Sequence, residues 1–327
     1  MRHPSAGKGT FVVGDPCIVW DEEADTWRMF LFLTPSGNGE AVWTGAASND
    51  WASWRILGPL RFTNPEALLG GGTHKPCVVM DSFRPNHAAR IDGKYCLLGV
   101  SHEGESKVVQ RAWADRLAGP WTLEPYPLIS HGGLGDFDEK HADAVSALWF
   151  QDRGEAVCFY MGYPATAQKW PNSPFGNASG AALWRPGEKT ARKLGPVLPP
   201  SPRSVHWASG WIGGLEVLPG AGGKWIGLAN ASPTPPRPDD RAESREEPPP
   251  SLGGFATTDA LFPVEGWRWE PAPIERIEDI PAEAVVWGEG VNLWRHHILL
   301  APGQPPLLFY NSGSYGREQL FGRMGEF

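Results

Sequence analysis

The sequence predicts an all-β protein, and within that class a five-bladed β-propeller. Three observations carry this. Glycine and proline supply turns in abundance, 40 and 33 of 327 residues. Long stretches of 3.6-residue apolar periodicity are hard to find. A unit of apolar run, polar turn and second apolar run keeps returning along the chain. The unit recurs about five times, at roughly 60–75 residues per cycle, and each cycle reads as three or four strands. One cycle alone would expose an apolar face, and stacking cycles around an axis buries it. Residues 1–327 are therefore read as one cooperative domain.

The first cycle opens with Gly14-Asp15-Pro16-Cys17-Ile18-Val19-Trp20, turns through the acidic Asp21 to Asp25, and returns as Thr26 to Leu33. Asp15 stands at the entrance of the first strand. The proline after it predicts extended backbone at Asp15. Within Glu40–Trp54 a third strand ends in an Asn49-Asp50 turn, and a tryptophan opens a fourth. The second cycle starts at Thr73-His74-Lys75-Pro76-Cys77, where Pro76 and Cys77 occupy the places of Pro16 and Cys17. It continues through Asp92–Val100 and Lys107–Trp121.

The third cycle begins at His141-Ala142-Asp143-Ala144-Val145 and turns at Asp152-Arg153-Gly154. It returns through Ala156–Met161 to a strand at Gly180–Trp184. The fourth begins near Gly213-Gly214-Leu215-Glu216, turns at Gly220–Gly223, returns as Lys224–Ala229, and resumes at Phe255–Asp259. The fifth is read as Glu289–Trp294, Pro306–Asn311 and Gln319–Arg323. Between the strands of the fourth cycle, residues 232–251 are rich in proline and charge and carry no aromatic residue. Such a segment buries too little to offset its ordering entropy, so it is expected to be a mobile insertion.

Charge and composition exclude several functions. The formal charge of −8 gives no general basic footprint for nucleic acid. No apolar run approaches membrane-spanning length. The Met1-Arg2-His3-Pro4-Ser5 start lacks the apolar core of a signal peptide, which predicts a cytoplasmic protein. Cys17, Cys77, Cys96 and Cys158 each lie in an apolar run without CxxC spacing, as buried free thiols do.

With these elements in place, the chain resembles the five-bladed β-propeller glycoside hydrolases, the group of families 43, 32, 68 and 130. Gly14-Asp15-Pro16-Cys17-Ile18-Val19 is similar to that group's blade-one Asp-Pro element. Asp143 within His141–Val145 resembles the blade-three aspartate, and Glu216 within Leu215–Leu218 resembles the blade-four acid. The resemblance implies Asp15 as general base or nucleophile, Glu216 as general acid, and Asp143 as the residue that positions substrate. Two departures stand out. Blade two carries His74-Lys75-Pro76 where families 32 and 68 show Arg-Asp-Pro, and Glu216 lacks the following glycine and proline of family 43. Glu289 is therefore a rival acid.

Glycoside cleavage needs one protonated carboxyl and one ionised carboxylate in different environments. In a propeller, the innermost strands of all blades start at one end of the central funnel, so carboxylates distant in sequence converge there. Asp15, Asp143, Glu216 and Glu289 are each read at such an entrance. His74, Lys75 and His141 share that placement and are candidate substrate contacts, with Lys75 suited to an anionic sugar or phosphate. Trp54, Trp121 and Trp267 recur at one blade position and read as core, whereas Trp207 in a loop is the candidate sugar platform.

The expected partner is an oligosaccharide or glycoside, with no cofactor and no catalytic metal. A structural calcium ion in the central channel is compatible with the group. Two other functions remain open on the same fold: a glycoside phosphorylase or transglycosylase, and a non-catalytic glycan-binding propeller.

Overall fold

A computed structural model of the chain describes residues 11–35, 42–51, 53–70, 73–164, 177–202, 206–233, 251–274, 293–312 and 319–324. It is a five-bladed β-propeller.

Blade I is the meander β1 (Phe11–Asp21), β2 (Thr26–Pro35), β3 (Val42–Ser48) and β4 (Arg55–Pro59). Blade II is β5 (His74–Val78), followed after the short β6 (Met80–Asp81) by β7 (Tyr95–Glu103), β8 (Ser106–Ala114) and β9 (Thr122–Ile129). Blade III is β10 (His141–Phe150), β11 (Glu155–Tyr163), β12 (Ala178–Trp184) and β13 (Arg192–Leu198). Blade IV is β14 (Trp211–Pro219), β15 (Trp225–Ser232), β16 (Leu252–Thr258) and β17 (Arg268–Pro273). Blade V shows three strands among the described residues: β18 (Leu293–Leu299), β19 (Leu307–Ser312) and β20 (Gln319–Met324).

Neighbouring strands within every blade are antiparallel, as short polar turns between apolar runs require. The one exception is β6, which leaves blade II and pairs parallel with β10, tying two blades together. The innermost strands β1, β5, β10, β14 and β18 pack in that order around the axis, and β18 returns to β1. Two buried hydrogen bonds cross this closing seam. The Ile18 N–H donates to His297 Nε2 at 3.0 Å, and the Asp15 N–H donates to Asn311 Oδ1 at 2.9 Å.

The apolar faces are buried between blades, as stacking demands. One core runs through blades I to IV, and a second joins blade I to blade V. Trp121 is fully buried, and Trp54 and Trp267 pack partly buried against these cores, so the recurring tryptophans do serve as packing. All four cysteines are buried and free.

Two boundaries differ from expectation. The first strand of the fifth cycle is Leu293–Leu299 rather than Glu289–Trp294, and residues 275–292 lie outside the described residues. The expected insertion at 232–251 is narrower at its ends. Ser232 belongs to β15 and pairs with Trp211, and Ser251 is buried beside β16 because it accepts a hydrogen bond from Asn230. Residues 234–250 lie outside the described residues.

Candidate active site

The site begins with a defect repeated in every innermost strand. Register breaks between Gly14 and Cys17, His74 and Cys77, Asp143 and Ser146, Ile212 and Leu215, and Trp294 and His297. Each break leaves two residues unpaired at the same height of the funnel: Asp15-Pro16, Lys75-Pro76, Ala144-Val145, Gly213-Gly214 and Arg295-His296. A bulge re-aims side chains and commonly flanks active sites. Here the bulge residues include Asp15, Lys75 and Arg295.

Four of these first positions take left-handed backbone: Asp15 at φ 55°, Lys75 at 51°, Ala144 at 50° and Arg295 at 46°. They are half of the eight non-glycine residues with positive φ among the described residues, so backbone strain concentrates in this ring. The extended geometry expected at Asp15 is therefore incorrect. The bulge imposes the left-handed turn, and contacts from blade V hold it against the local preference of a residue before proline.

Asn311 supplies that hold. Its Oδ1 accepts from the Asp15 N–H, and its Nδ2 donates to Asp15 Oδ1 at 2.8 Å. Gly14 is required next to them, because a Cβ there would lie 2.5 Å from Asn311 Nδ2. Asp15 is buried, and burial raises its carboxyl above the ordinary range. Lys75, Arg295 and the Asn311 hydrogen bond pull it back down, while Asp143 pushes it up.

Asp143 lies one residue before its bulge, level with Gly14 and His74, and its side chain is fully buried. Lys75 Nζ contacts its Oδ1 at 2.6 Å, Lys107 Nζ its Oδ2 at 2.8 Å, and the Ala144 N–H donates to Oδ1 at 2.7 Å. Burial alone would raise its pKa. The two ammonium groups overcome that and hold Asp143 well below the usual carboxylate range. Burial in turn lowers the Lys75 ammonium, with Lys107 adding to the fall and Asp143 opposing it.

His74 and His141 flank this cluster. His74 sits edge-on to Phe32 and His102, and His141 edge-on to Tyr163. His141 Nδ1 accepts the Lys107 N–H at 3.0 Å. Desolvation, reinforced by the lysine charges, lowers both rings to about 4, so both are neutral at neutral pH.

Asp15, Asp143, His74, Lys75 and His141 thus lie in one cluster of charged and aromatic side chains. The remaining expectations fare differently. Glu216 is not at the mouth. It is the second residue past the Gly213-Gly214 bulge, 7% exposed, and it faces the closed channel below the ring. Its Oε2 accepts from His297 Nδ1 at 2.9 Å, and Oε1 is buried without a partner. The Ile18 N–H donates to His297 Nε2, which places the ring proton on Nδ1.

Trp207 is no sugar platform. It is 7% exposed, packs edge-to-face on Trp269, and donates its indole N–H to the Glu270 carbonyl. The apolar surface around it outweighs its loop position in the sequence. Glu289 lies outside the described residues.

Three residues of the mouth were not foreseen: Lys107, Asn311 and Arg295. Arg295 donates to the Ala144 carbonyl at 3.4 Å and to the Val145 carbonyl, so a blade V side chain reaches blade III across the axis. A Cβ on Gly214 would meet its guanidinium, and one on Gly213 would meet the Asn230 amide. Reading Leu293–Leu299 as the inner strand would have aligned Arg295 with Asp15 and Lys75. Lys107 comes from the third strand of blade II and Asn311 from the second strand of blade V, and neither carries a comparable pattern.

Below the ring is a cavity of about 10 Å³, lined by Cys17, Cys77, Ser146, Glu216, Arg295 and His297 among others. That is room for about one water. Two thiols, a guanidinium and one carboxylate fit calcium poorly, since that ion takes 6–8 oxygens. Among the described residues no group of three or more His, Cys, Asp or Glu could hold a metal ion. A larger cavity of about 520 Å³, beside Trp113, Arg116 and Pro120, lies at the opposite end of β8 from Lys107 and is remote from the ring.

No family model matches the sequence, and no curated protein is similar to it. Solved structures are similar in fold. A BT0996–RGII complex matches at TM-score 0.70 and 17% identity, over 97% of this protein and 88% of that one. A thermostable family-43 glycoside hydrolase matches at 0.63 and 14%, over 98% and 91%. A structure from the GH130 family of mannoside phosphorylases, in a study of glycoside hydrolases that target β-1,2 mannosidic linkages in Candida mannan, matches at 0.62 and 14%, over 95% and 83%. The protein therefore has the five-bladed propeller fold of these glycoside hydrolases. Among the described residues, no helix is long and apolar enough to cross a membrane.

Proposed function

We propose that the protein is a glycosidase working at the funnel mouth, with Asp15 as base or nucleophile and Asp143 as the positioning carboxylate. The observation that carries this is the meeting of Asp15 from blade I and Asp143 from blade III around Lys75. The shared fold with glycoside hydrolases supports it.

The two aspartates have different environments, as paired carboxyl chemistry requires. Asp143 is held ionised, and hydrogen bonds engage both of its oxygens, so it acts through the lysines it orients. Asn311 engages Oδ1 of Asp15, which fixes the carboxylate plane at the ring. An ionised Asp15 would then activate water or attack the anomeric carbon. Glu216 faces the channel and is bonded to His297, which speaks against it as the acid, and its rival Glu289 lies outside the described residues.

The test is a screen on aryl glycosides with and without inorganic phosphate. Asp15→Asn is expected to lower kcat by about 10²–10⁴-fold with the fold intact. Glu216→Gln is expected to retain turnover. Full activity in Asp15→Asn rejects the assignment, and turnover only with phosphate reassigns the reaction to phosphorolysis.

A further inference from the structure

We propose that Cys17 and Cys77 are a modification site, at which a small peroxide oxidises the two thiols to a disulfide joining the innermost strands of blades I and II below the ring. This site is independent of the glycosidase chemistry proposed above.

The sequence brings the pair together. Asp15-Pro16-Cys17 and Lys75-Pro76-Cys77 repeat one pattern, and strand pairing resumes after each bulge at Cys17 with Phe30 and at Cys77 with Leu98. The two cysteines therefore sit at one height on adjacent inner strands. Their sulfurs are 4.0 Å apart, and the Cys17 thiol donates toward Cys77 Sγ. The Val78 N–H donates to Cys17 Sγ at 3.3 Å and holds that sulfur in place. A disulfide bond is about 2 Å long, so the sulfurs must approach by about 2 Å, which side-chain rotation can supply.

The surroundings supply a place for the oxidant. Both cysteines line the cavity below the ring, together with Glu216, Arg295 and His297. That cavity has room for about one molecule of the size of water. Glu216 is buried, and its Oε1 has no hydrogen-bond partner. A peroxide carries an O–H donor, so it can give Oε1 the hydrogen bond it lacks from within the space that both sulfurs border.

The polarity of the pair sets the order of events. The Cys17 hydrogen bond lowers the Cys77 thiol, and the Arg295 charge adds to this against burial and Glu216. The same bond, with burial, raises Cys17. Cys77 is thus the first to ionise and acts as the nucleophile. Its thiolate attacks one peroxide oxygen. The S–O bond forms, the O–O bond breaks, and the leaving hydroxide takes the proton lost by the thiol and departs as water. The Cys17 sulfur then attacks the sulfenic acid on Cys77. The S–S bond forms, the S–O bond breaks, and the hydroxyl leaves with the Cys17 proton as a second water. Two thiols are oxidised by two electrons, and one peroxide is reduced to two waters. Cys96 and Cys158 serve as internal controls. Both are buried, neither lines this cavity, and burial raises both, Cys158 to about 12.

The experiment treats the folded full chain with hydrogen peroxide and removes the excess with catalase. The chain is then unfolded in N-ethylmaleimide and mapped by mass spectrometry, with and without dithiothreitol. The expected product has lost two hydrogens, links the Cys17 and Cys77 peptides, carries maleimide only on Cys96 and Cys158, and reverts with dithiothreitol. In Cys17→Ala, with circular dichroism unchanged, Cys77 should stop at the sulfenic acid. Dimedone should then capture it at least about tenfold faster than Cys96.

Four maleimide-labelled cysteines after peroxide, a link that includes Cys96 or Cys158, or a Cys17–Cys77 link that forms only in the unfolded chain overturns the proposal. Sulfinic acid at either residue in place of the link also overturns it. These outcomes are read on wild type, so they hold whether or not Cys17→Ala folds.

Discussion

Asp143→Asn isolates the central electrostatic feature of the ring. The substitution keeps shape and removes one charge from a side chain with no solvent exposure. Asn can still accept from the Ala144 N–H, but its amide group then turns a donor toward one of the two ammonium groups. Two lysines are left close to each other with their shared carboxylate gone, Lys75 keeping only the influence of Asp15. Removing one partner of a buried ion pair costs about 3–5 kcal/mol. The lysines are partly exposed, so the lower end, about 3 kcal/mol, applies here. For 327 residues the unfolding entropy is about 0.7 kcal/mol/K, so the melting temperature should fall by about 4 °C.

Thermal unfolding followed by near-ultraviolet circular dichroism at pH 7 measures this directly. A double-mutant cycle with Lys107→Met supplies the control. With Lys107 removed, the cost of Asp143→Asn should shrink by about 1 kcal/mol, because less uncompensated charge remains. A melting temperature unchanged within about 1 °C, or strictly additive single effects, refutes the claim that these three residues form one unit.

Two further outcomes follow from the ring. Asn311→Ala removes a hydrogen bond that lowers the Asp15 carboxyl, so the Asp15 titration seen by carboxyl-carbon NMR should move upward, and the acidic limb of any pH–rate profile with it. A titration that stays in place shows that Asn311 does not tune Asp15. For pH stability, His74 and His141 are depressed from 6.5 to about 4. Each is harder to protonate folded than unfolded, so its contribution is full above pH 6.5 and is lost as pH falls toward 4. With screening of half-buried rings, that is about 1–2 kcal/mol each. The melting temperature should drop across that window, and His141→Gln should flatten the drop. A flat profile in wild type contradicts the assigned environments.

Much of this protein is legible in its sequence. Apolar runs of strand length, separated by turn residues, dictate the meanders of blades I to IV, because each run must bury one face and cannot do so alone. The Asp15-Pro16-Cys17 and Lys75-Pro76-Cys77 match marks equivalent bulges before any coordinates exist. What only the tertiary structure decides is which remote groups share the axis. Lys107 reaches the mouth from the third strand of blade II, Asn311 from the second strand of blade V, and Arg295 crosses from blade V to blade III. Glu216 and Trp207 fail as mouth residues because two residues of register, or one packed neighbour, turns a side chain from funnel to interior. Local pattern fixes strands, since hydrogen bonding and face burial are local choices. The charge balance at the ring is a sum over all five blades, and it exists only once they close on one another.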